Sequence, residues 1–244
     1  MPVSVAIIGS GPAGFYTAEA LVNSVVDLSI DFIERLPTPF GLIRGGVAPD
    51  HQKTKNVAKK YEKTALMDQV CFYGNVDVGR DASLAELRGI YDAVALAIGA
   101  PRDRKMNIPG EDKTGIFGSA DFVGWYNGHP DFRDLNPDLN VSAVAVIGVG
   151  NVAIDVARVL VRTKEELVPS DITDYAEKAI LDSSIEDVYI FGRRGPVEAK
   201  FTNVELREMG KLEQSVPVVD AGQLPDDVGE IEEGREKRLK ERNL

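Results

Sequence analysis

Val3-Ser4-Val5-Ala6-Ile7-Ile8-Gly9-Ser10-Gly11-Pro12-Ala13-Gly14 is the stretch on which the fold turns. A short apolar, β-branched run meets G-x-G-x-x-G at once, and Phe15, Ala18, Leu21 and Val22 follow at helical spacing. Strand, tight turn and helix start is the context in which those glycines mean dinucleotide binding. Gly9 allows the turn, Gly11 lets a pyrophosphate approach the backbone, and Gly14 lets helix and strand pack closely. Free N–H groups at the helix start attract phosphate charge. A second strand, 28–33, ends in Glu34, about 20 residues past the turn, where a carboxylate meets a ribose hydroxyl. Gly9, Gly11, Pro12, Ala13, Gly14 and Glu34 are therefore candidate residues for an adenine dinucleotide, the alternative being a bland glycine turn.

The pattern then repeats. Residues 141–147 read as a strand, Gly148-Val149-Gly150-Asn151-Val152-Ala153 as the turn, and 155–161 as the helix. Alanine in place of the third glycine is tolerated. A second copy in one chain suggests two dinucleotides on two similar domains. The next strand, 188–191, ends in Gly192-Arg193-Arg194-Gly195 and not in a carboxylate. An acid there would repel a 2′-phosphate, whereas paired guanidiniums bind one through charge-assisted bonds. The second site is expected to select NADPH over NADH; two solvated surface arginines are the alternative.

Composition narrows the class. The chain has 244 residues, 43% of them hydrophobic, enough for one large or two ordinary domains. A net charge of −11 argues against general nucleic-acid or anionic-membrane binding. No run reaches the ~18 apolar residues of a membrane span. The first strand begins at the third residue, so no targeting segment is expected and the location expected is cytoplasmic. Cys71 is the only cysteine and His51 and His129 the only histidines, so neither a disulfide nor a metal site is expected.

Between the turns, 35–42 is a loop set by two prolines and a glycine, and Gly45-Gly46 extends it. Asp50 reads as the N-cap of a helix with the stripe Val57, Tyr61, Ala65, Leu66. Residues 71–78 read as extended, broken at Gly74-Asn75, and Ser83 to Glu86 as a capping box. Residues 92–98 form an apolar run closed by Gly99, expected as a strand covered on both faces. A Pro- and Gly-rich loop, 101–118, carries the domain boundary near Asp103, dividing 1–102 from 103–244. Ser119 is expected to cap a helix through Tyr126, with Trp125 in its packing. Thr202 to Glu205 is a second capping box, opening a helix through Met209. Residues 220–233 are acidic, and 234–244 is a charged segment with helical potential.

Six stretches together resemble the adrenodoxin reductase type of ferredoxin–NADP reductase: IIGSGPAGFYTAEAL, ERLPTPFGLIR, GVAPDHQKTKNV, FVGWYNG, GVGNVAIDVARVL and GRRGPVEAKFTNVELREM, spanning residues 5 to 209. The resemblance implies an α/β protein of two Rossmann-like, glutathione reductase-type domains in three layers, with FAD in the first and NADPH in the second. It implies electron transfer from NADPH through FAD to a small ferredoxin-type iron–sulfur protein. By motif, Ala13, Glu34, Arg35, Leu42 and Val78 would meet FAD, with Arg44 nearby. Val149, Gly150, Asn151 and Val152 would hold the NADPH pyrophosphate, Arg193 and Arg194 its 2′-phosphate, and Glu205 would lie near the nicotinamide. His51 is the one plausible proton-handling group, with a polar residue in a helix's first turn as the alternative. Such chemistry needs no protein nucleophile.

Two departures accompany the resemblance. The family usually has an aromatic residue where this chain has Gly45. Family members also run longer, returning to a discontinuous FAD domain, so the chain is expected to be an N-terminal, C-terminally truncated part, prone to self-association and slow turnover. Other readings are the reductase-like subunit of glutamate synthase, which usually adds a cysteine-rich segment ahead of the first turn, and a non-catalytic nucleotide-binding module. A disulfide reductase would need a cysteine pair. For docking an acidic ferredoxin, Arg207, Arg235, Lys237, Arg238, Lys240 and Arg242 are candidates, against a solvated helix face.

Overall fold

The computed structural model describes residues 2–24, 26–224 and 226. β1 (Val3–Ile8) runs into α1 (Pro12–Val22), which returns the chain to β2 (Leu28–Ile33) beside β1. Three short helices, α2 (Leu42–Gly45), α3 (Gln52–Lys55) and α4 (Ala58–Ala65), lead to β3 (Val70–Tyr73). α5 (Leu84–Ile90) then leads to β4 (Ala93–Leu96). These strands form one parallel sheet in the order β3-β2-β1-β4, so the direction of winding reverses between β1 and β4. A crevice outside the strand ends at such a reversal is where open α/β sheets bind ligands.

Aromatic packing ties α1 and α4 to this sheet. Phe15 stacks on Tyr61 with ring centroids 4.8 Å apart and touches Phe32 at 4.7 Å. Val57 and Ala65 join that core as the stripe predicts, but Leu66 does not: it lies beyond the end of α4 and is 83% exposed. The capping box at Ser83 and Glu86 forms with both of its hydrogen bonds.

The apolar run 92–98 is a shorter strand than expected, packed on both faces at its centre, where Val94 joins Leu87 on one side and Ala95 joins the Phe15 core on the other. β4 is also the sheet's edge, and Leu96 at its end is 61% exposed. Ser119 is not a cap either. It lies inside α6 (Ser119–Tyr126), and the loop carboxylate of Asp103 does the capping, accepting from Ser119 Oγ at 2.8 Å and Ala120 N–H at 2.7 Å. The sequence hid this because the cap comes from 16 residues upstream.

β5 (Ala143–Ile147), α7 (Asn151–Leu160), α8 (Lys164–Leu167), α9 (Asp174–Leu181), β6 (Asp187–Phe191) and α10 (Asn203–Met209) follow. α7 begins at Asn151, four residues ahead of the expected start, because the glycine turn itself opens the helix. β5 and β6 pair in parallel, from Ala143 with Asp187 to Ile147 with Phe191. Phe122, Trp125 and Tyr126 of α6 pack with Val159 and Leu160 of α7 and Ala176 and Ile180 of α9 in a second core. Among the described residues only one face of this small sheet is covered: Ile147, Tyr189 and Phe191 are each more than half exposed. The candidate helix at 234–244, and with it Arg235, Lys237, Arg238, Lys240 and Arg242, lies outside the described residues.

Candidate functional site

The first turn is tight for the reason its glycines imply. Gly9 has φ +100°, and a Cβ there would come closer than 3.0 Å to the Ala97 carbonyl, just past β4. A Cβ on Gly14 would meet the Gly9 carbonyl as closely. Gly11 faces Gly41 of the following loop, whose Phe40 N–H donates to the Ser10 carbonyl at 2.9 Å. Phe40 adopts φ 88°, a strained conformation for a bulky residue that costs about 1–3 kcal/mol. Its ring is wedged against Phe15 and Tyr61, which holds the strain in place.

Glu34 is braced against this turn. Its Oε2 accepts from Ser10 N–H at 2.9 Å and Ser10 Oγ at 2.8 Å, and its Oε1 from Leu36 N–H at 3.0 Å. Ala13 and Leu42 are exposed nearby, and Val78 packs in a small cluster with Ile8, Ile33 and Leu87. Arg44 Nε donates to the Pro39 carbonyl at 3.2 Å. Arg35, which the family motif offers to the cofactor, forms a two-bond fork with Asp131 at 3.0 and 2.8 Å, tying the loop after β2 to the segment after α6. The ring of His129 lies over Gly45, where a Cβ would come to 3.4 Å.

The second turn is built the same way. Gly148 has φ +146°, and the Val149 carbonyl accepts from Lys200 and Phe201 N–H at 2.7 and 3.2 Å. Asn151 Oδ1 accepts from Thr202 N–H at 2.8 Å, so residues 200–202 fold back over the turn. Val152, Arg193 and Arg194 are exposed. α1 and α7 start at Gly11 and Gly150 with no capping side chain and no acid in the first turn. α5 and α8, by contrast, close their own N-termini with capping boxes. Unspent N–H groups and room for an anion are what a pyrophosphate requires.

Residues from both halves of the chain meet in a charged cluster that sequence reading did not assemble. His51 Nε2 lies 2.8 Å from Glu208 Oε2 and 3.4 Å from Glu205 Oε2, and Nδ1 lies 3.7 Å from Asp155 Oδ1. With Glu208 ionised, Nε2 carries the proton. Asp50 is not a helix cap: His51 holds the N-cap position of α3 without a capping hydrogen bond, and Asp50 turns away to grip the fully buried Arg158 at 2.7 and 3.0 Å and Arg162 at 2.7 Å. The box at Thr202 is likewise half a box. Thr202 Oγ1 accepts from Glu205 N–H at 3.4 Å, but the Glu205 carboxylate turns inward, 3.4 Å from Arg158.

Asp155, Arg158, Arg162 and Glu208 went unseen in the sequence, and Asp50 was legible there only as an N-cap. The available signal was Arg158 on the buried stripe of α7, between Ala157 and Val159, and the three-residue spacing of Asp155 with Arg158 and of Glu205 with Glu208. His51, Glu205 and Glu208 could offer ligand atoms within 4.8 Å of one another, yet the Arg158 guanidinium 3.4 Å from both glutamates already supplies positive charge there.

The cluster's carboxylates oppose one another in their response to pH. Burial pushes Asp50 up, but the Arg158 hydrogen bonds and the charges of Arg158 and Arg162 outweigh it, so its pKa lies below the ordinary 3.8. Burial raises Asp155 and Glu205 above their ordinary values, against the pull of Arg158 and His51. A depressed carboxylate stabilises the fold above its unfolded pKa, and that stability is lost as pH falls through the folded one. A raised carboxylate does the reverse: its contribution is present at low pH and lost as pH rises through the folded pKa. In urea unfolding, the contribution of these two groups should therefore decline as pH rises above their ordinary values, 3.8 for Asp155 and 4.5 for Glu205, and that of Asp50 should be lost below 3.8. Asp155→Asn and Glu205→Gln should flatten the upper decline and leave the acid limb in place; an unchanged upper slope would mean that these groups carry no such cost.

Two glycine turns at the ends of parallel strands, each opening an uncapped helix, define a Rossmann-like α/β protein. The chain belongs to the pyridine nucleotide-disulphide oxidoreductase family, whose model matches residues 3–190. It is 47% identical over 241 residues to the mitochondrial NADPH:adrenodoxin oxidoreductase of Arabidopsis thaliana, covering 97% of this chain and 50% of that protein. It is 47% identical over 225 residues to NADPH-ferredoxin reductase FprA of Mycobacterium leprae, covering 90% and 49%. The structure of Mycobacterium tuberculosis FprA in complex with NADPH superposes with a TM-score of 0.85 at 47% identity, over 87% of this chain and 48% of that one. The chain is thus a homologue of the adrenodoxin reductase and FprA proteins and spans about half their length. No helix among the described residues is long and apolar enough to cross a membrane.

Proposed function

We propose that the chain carries two dinucleotide sites, FAD on residues 1–102 and NADPH on 103–244, each a Rossmann-like lobe of glutathione reductase type. In this reading it serves electron transfer from NADPH through FAD to a ferredoxin-type iron–sulfur protein. One observation carries it: of two like turns, the first is followed by a strand ending in a carboxylate, Glu34, and the second by a strand ending in Arg193-Arg194. FAD bound there would supply the chemistry that links a two-electron donor to a one-electron acceptor.

The chain's residues do the holding. Backbone N–H groups at the starts of α1 and α7 take the two pyrophosphates, with Gly11 and Gly150 giving close approach. Glu34 keeps its position through Ser10 and Leu36 and has lone pairs to spare for a ribose hydroxyl. Arg193 and Arg194 meet the 2′-phosphate. His51, held by Glu208 and Glu205, keeps a proton at Nε2 beside the path between the two sites. Arg207, exposed on α10, is a candidate contact for an acidic partner.

Anaerobic mixing of the FAD-loaded protein with pyridine nucleotide tests the reading. NADPH should bleach the flavin absorbance, and NADH at the same concentration should do so far more slowly. Equal rates, or no bleaching by either, would refute it.

A further inference from the structure

We propose that Arg158 is a positioning residue for His51, fixing the imidazole where the two halves of the chain meet. Its side chain is 0% exposed, and an arginine is buried at that depth only when its donors are matched. Nε donates to Asp50 Oδ2 at 2.7 Å, and Nη2 donates to Asp50 Oδ1 at 3.0 Å and Asp155 Oδ1 at 2.8 Å. Nη1 lies 3.4 Å from both Glu205 Oε2 and Glu208 Oε2.

Those partners are the surroundings of His51. Asp155, Glu205 and Glu208 are the three carboxylates that touch its ring, and Asp50 is the residue before it. One guanidinium thus holds the backbone that carries His51 and all three groups that fix the ring's orientation. Among the described residues, the charged and titratable groups facing this region are Asp50, Asp155, Arg158, Arg162, Glu166, Glu205, Glu208 and Lys211, with the buried Tyr126 hydroxyl beside them.

Arg162 does not duplicate the role. It reaches Asp50 at 2.7 Å but then turns to Glu166, away from the ring. A lysine would not duplicate it either, because a single ammonium cannot grip Asp50 with two bonds and reach three other carboxylates.

The structural part of the inference stands by itself; its effect on hydride transfer rests on the NADPH and FAD reading above. Two histidines make the test direct. In protein labelled with ¹⁵N-histidine, the ring-nitrogen resonances of His51 should move or split in Arg158→Met. Those of His129, whose Nδ1 accepts from Asp131 N–H in another part of the fold, should stay. Arg158→Lys should give a smaller displacement. If Arg158→Met fails to fold, Arg158→Lys and Asp50→Asn, which cuts the fork from its other end, carry the same test.

In FAD-loaded protein, flavin reduction by NADPH should slow by about 100-fold in Arg158→Met, the effect of misplacing a group by about 1 Å. NADPH affinity should hardly change, and Arg158→Lys should recover part of the rate. Unmoved His51 resonances in the folded variants would overturn the inference, as would a loss of NADPH affinity in place of rate. A wild-type chain that NADPH does not reduce would refute the proposed function, and the His51 resonances alone would then decide whether Arg158 positions the ring.

Discussion

Arg193→Ala combined with Arg194→Ala is expected to lower NADPH affinity by about 100-fold or more and to leave NADH affinity where it was. Charge-assisted hydrogen bonds to a phosphate are worth about 1.5–3 kcal/mol each. Both arginines are exposed, so solvent screening reduces that to about tenfold for each guanidinium. Exposure also means that the double variant should fold as well as the parent, since neither side chain supports a core. Calorimetric titration of the two nucleotides against one preparation gives the answer. Equal losses for NADPH and NADH would assign the arginines to the shared part of the nucleotide; no loss for either would make them solvated surface charges.

Gly14→Ala should have the second large effect, on stability and on the first site together. The added methyl would sit closer than 3.0 Å to the Gly9 carbonyl, a backbone atom that cannot swing aside, and 3.2 Å from the Phe32 ring. Relief requires α1 to lift from β1, which disturbs the stack of Phe15 on Tyr61 and Phe32. Overpacking of this kind costs about 1–3 kcal/mol, occasionally more. The same displacement withdraws the start of α1 from its place opposite Gly41. Urea unfolding should show the loss, and FAD retention on gel filtration should fall with it. Gly89→Ala is the control, because a Cβ there meets nothing within 4 Å. A Gly14→Ala variant as stable as the parent would mean that the close helix–strand approach is not what the glycine serves.

The parts of this protein that could be read from the chain are those whose cause lies within a few residues. Gly9, Gly11 and Gly14 announce the first turn because strand, turn and helix are adjacent, and Gly148 to Ala153 announce the second for the same reason. Ser83 and Glu86 cap a helix from inside it, and that too was legible. What failed depends on distant partners. Asp50 reads as an N-cap in its own neighbourhood, but Arg158, 108 residues away, claims its carboxylate. Glu205 sits where a capping box would put it, and the same buried guanidinium draws its side chain inward. Ser119 loses its expected role to Asp103.

The apolar run at 92–98 was legible only in part. Continuous hydrophobicity implies cover on both faces. Val94 and Ala95 have that cover, one on each face, but the fold leaves β4 as an edge, with Leu96 and Ile98 both more than 60% exposed. Composition records how apolar a strand is and says nothing of which element, if any, lies against it.

Counting the nucleotides bound per chain tests the central claim most directly. Protein saturated with FAD and titrated with NADP⁺ in a calorimeter should take up one nucleotide per chain without releasing flavin, giving two dinucleotides bound at once. Displacement of FAD by NADP⁺, or binding of only one of the two, would contradict the account by reducing the two glycine turns to a single nucleotide site.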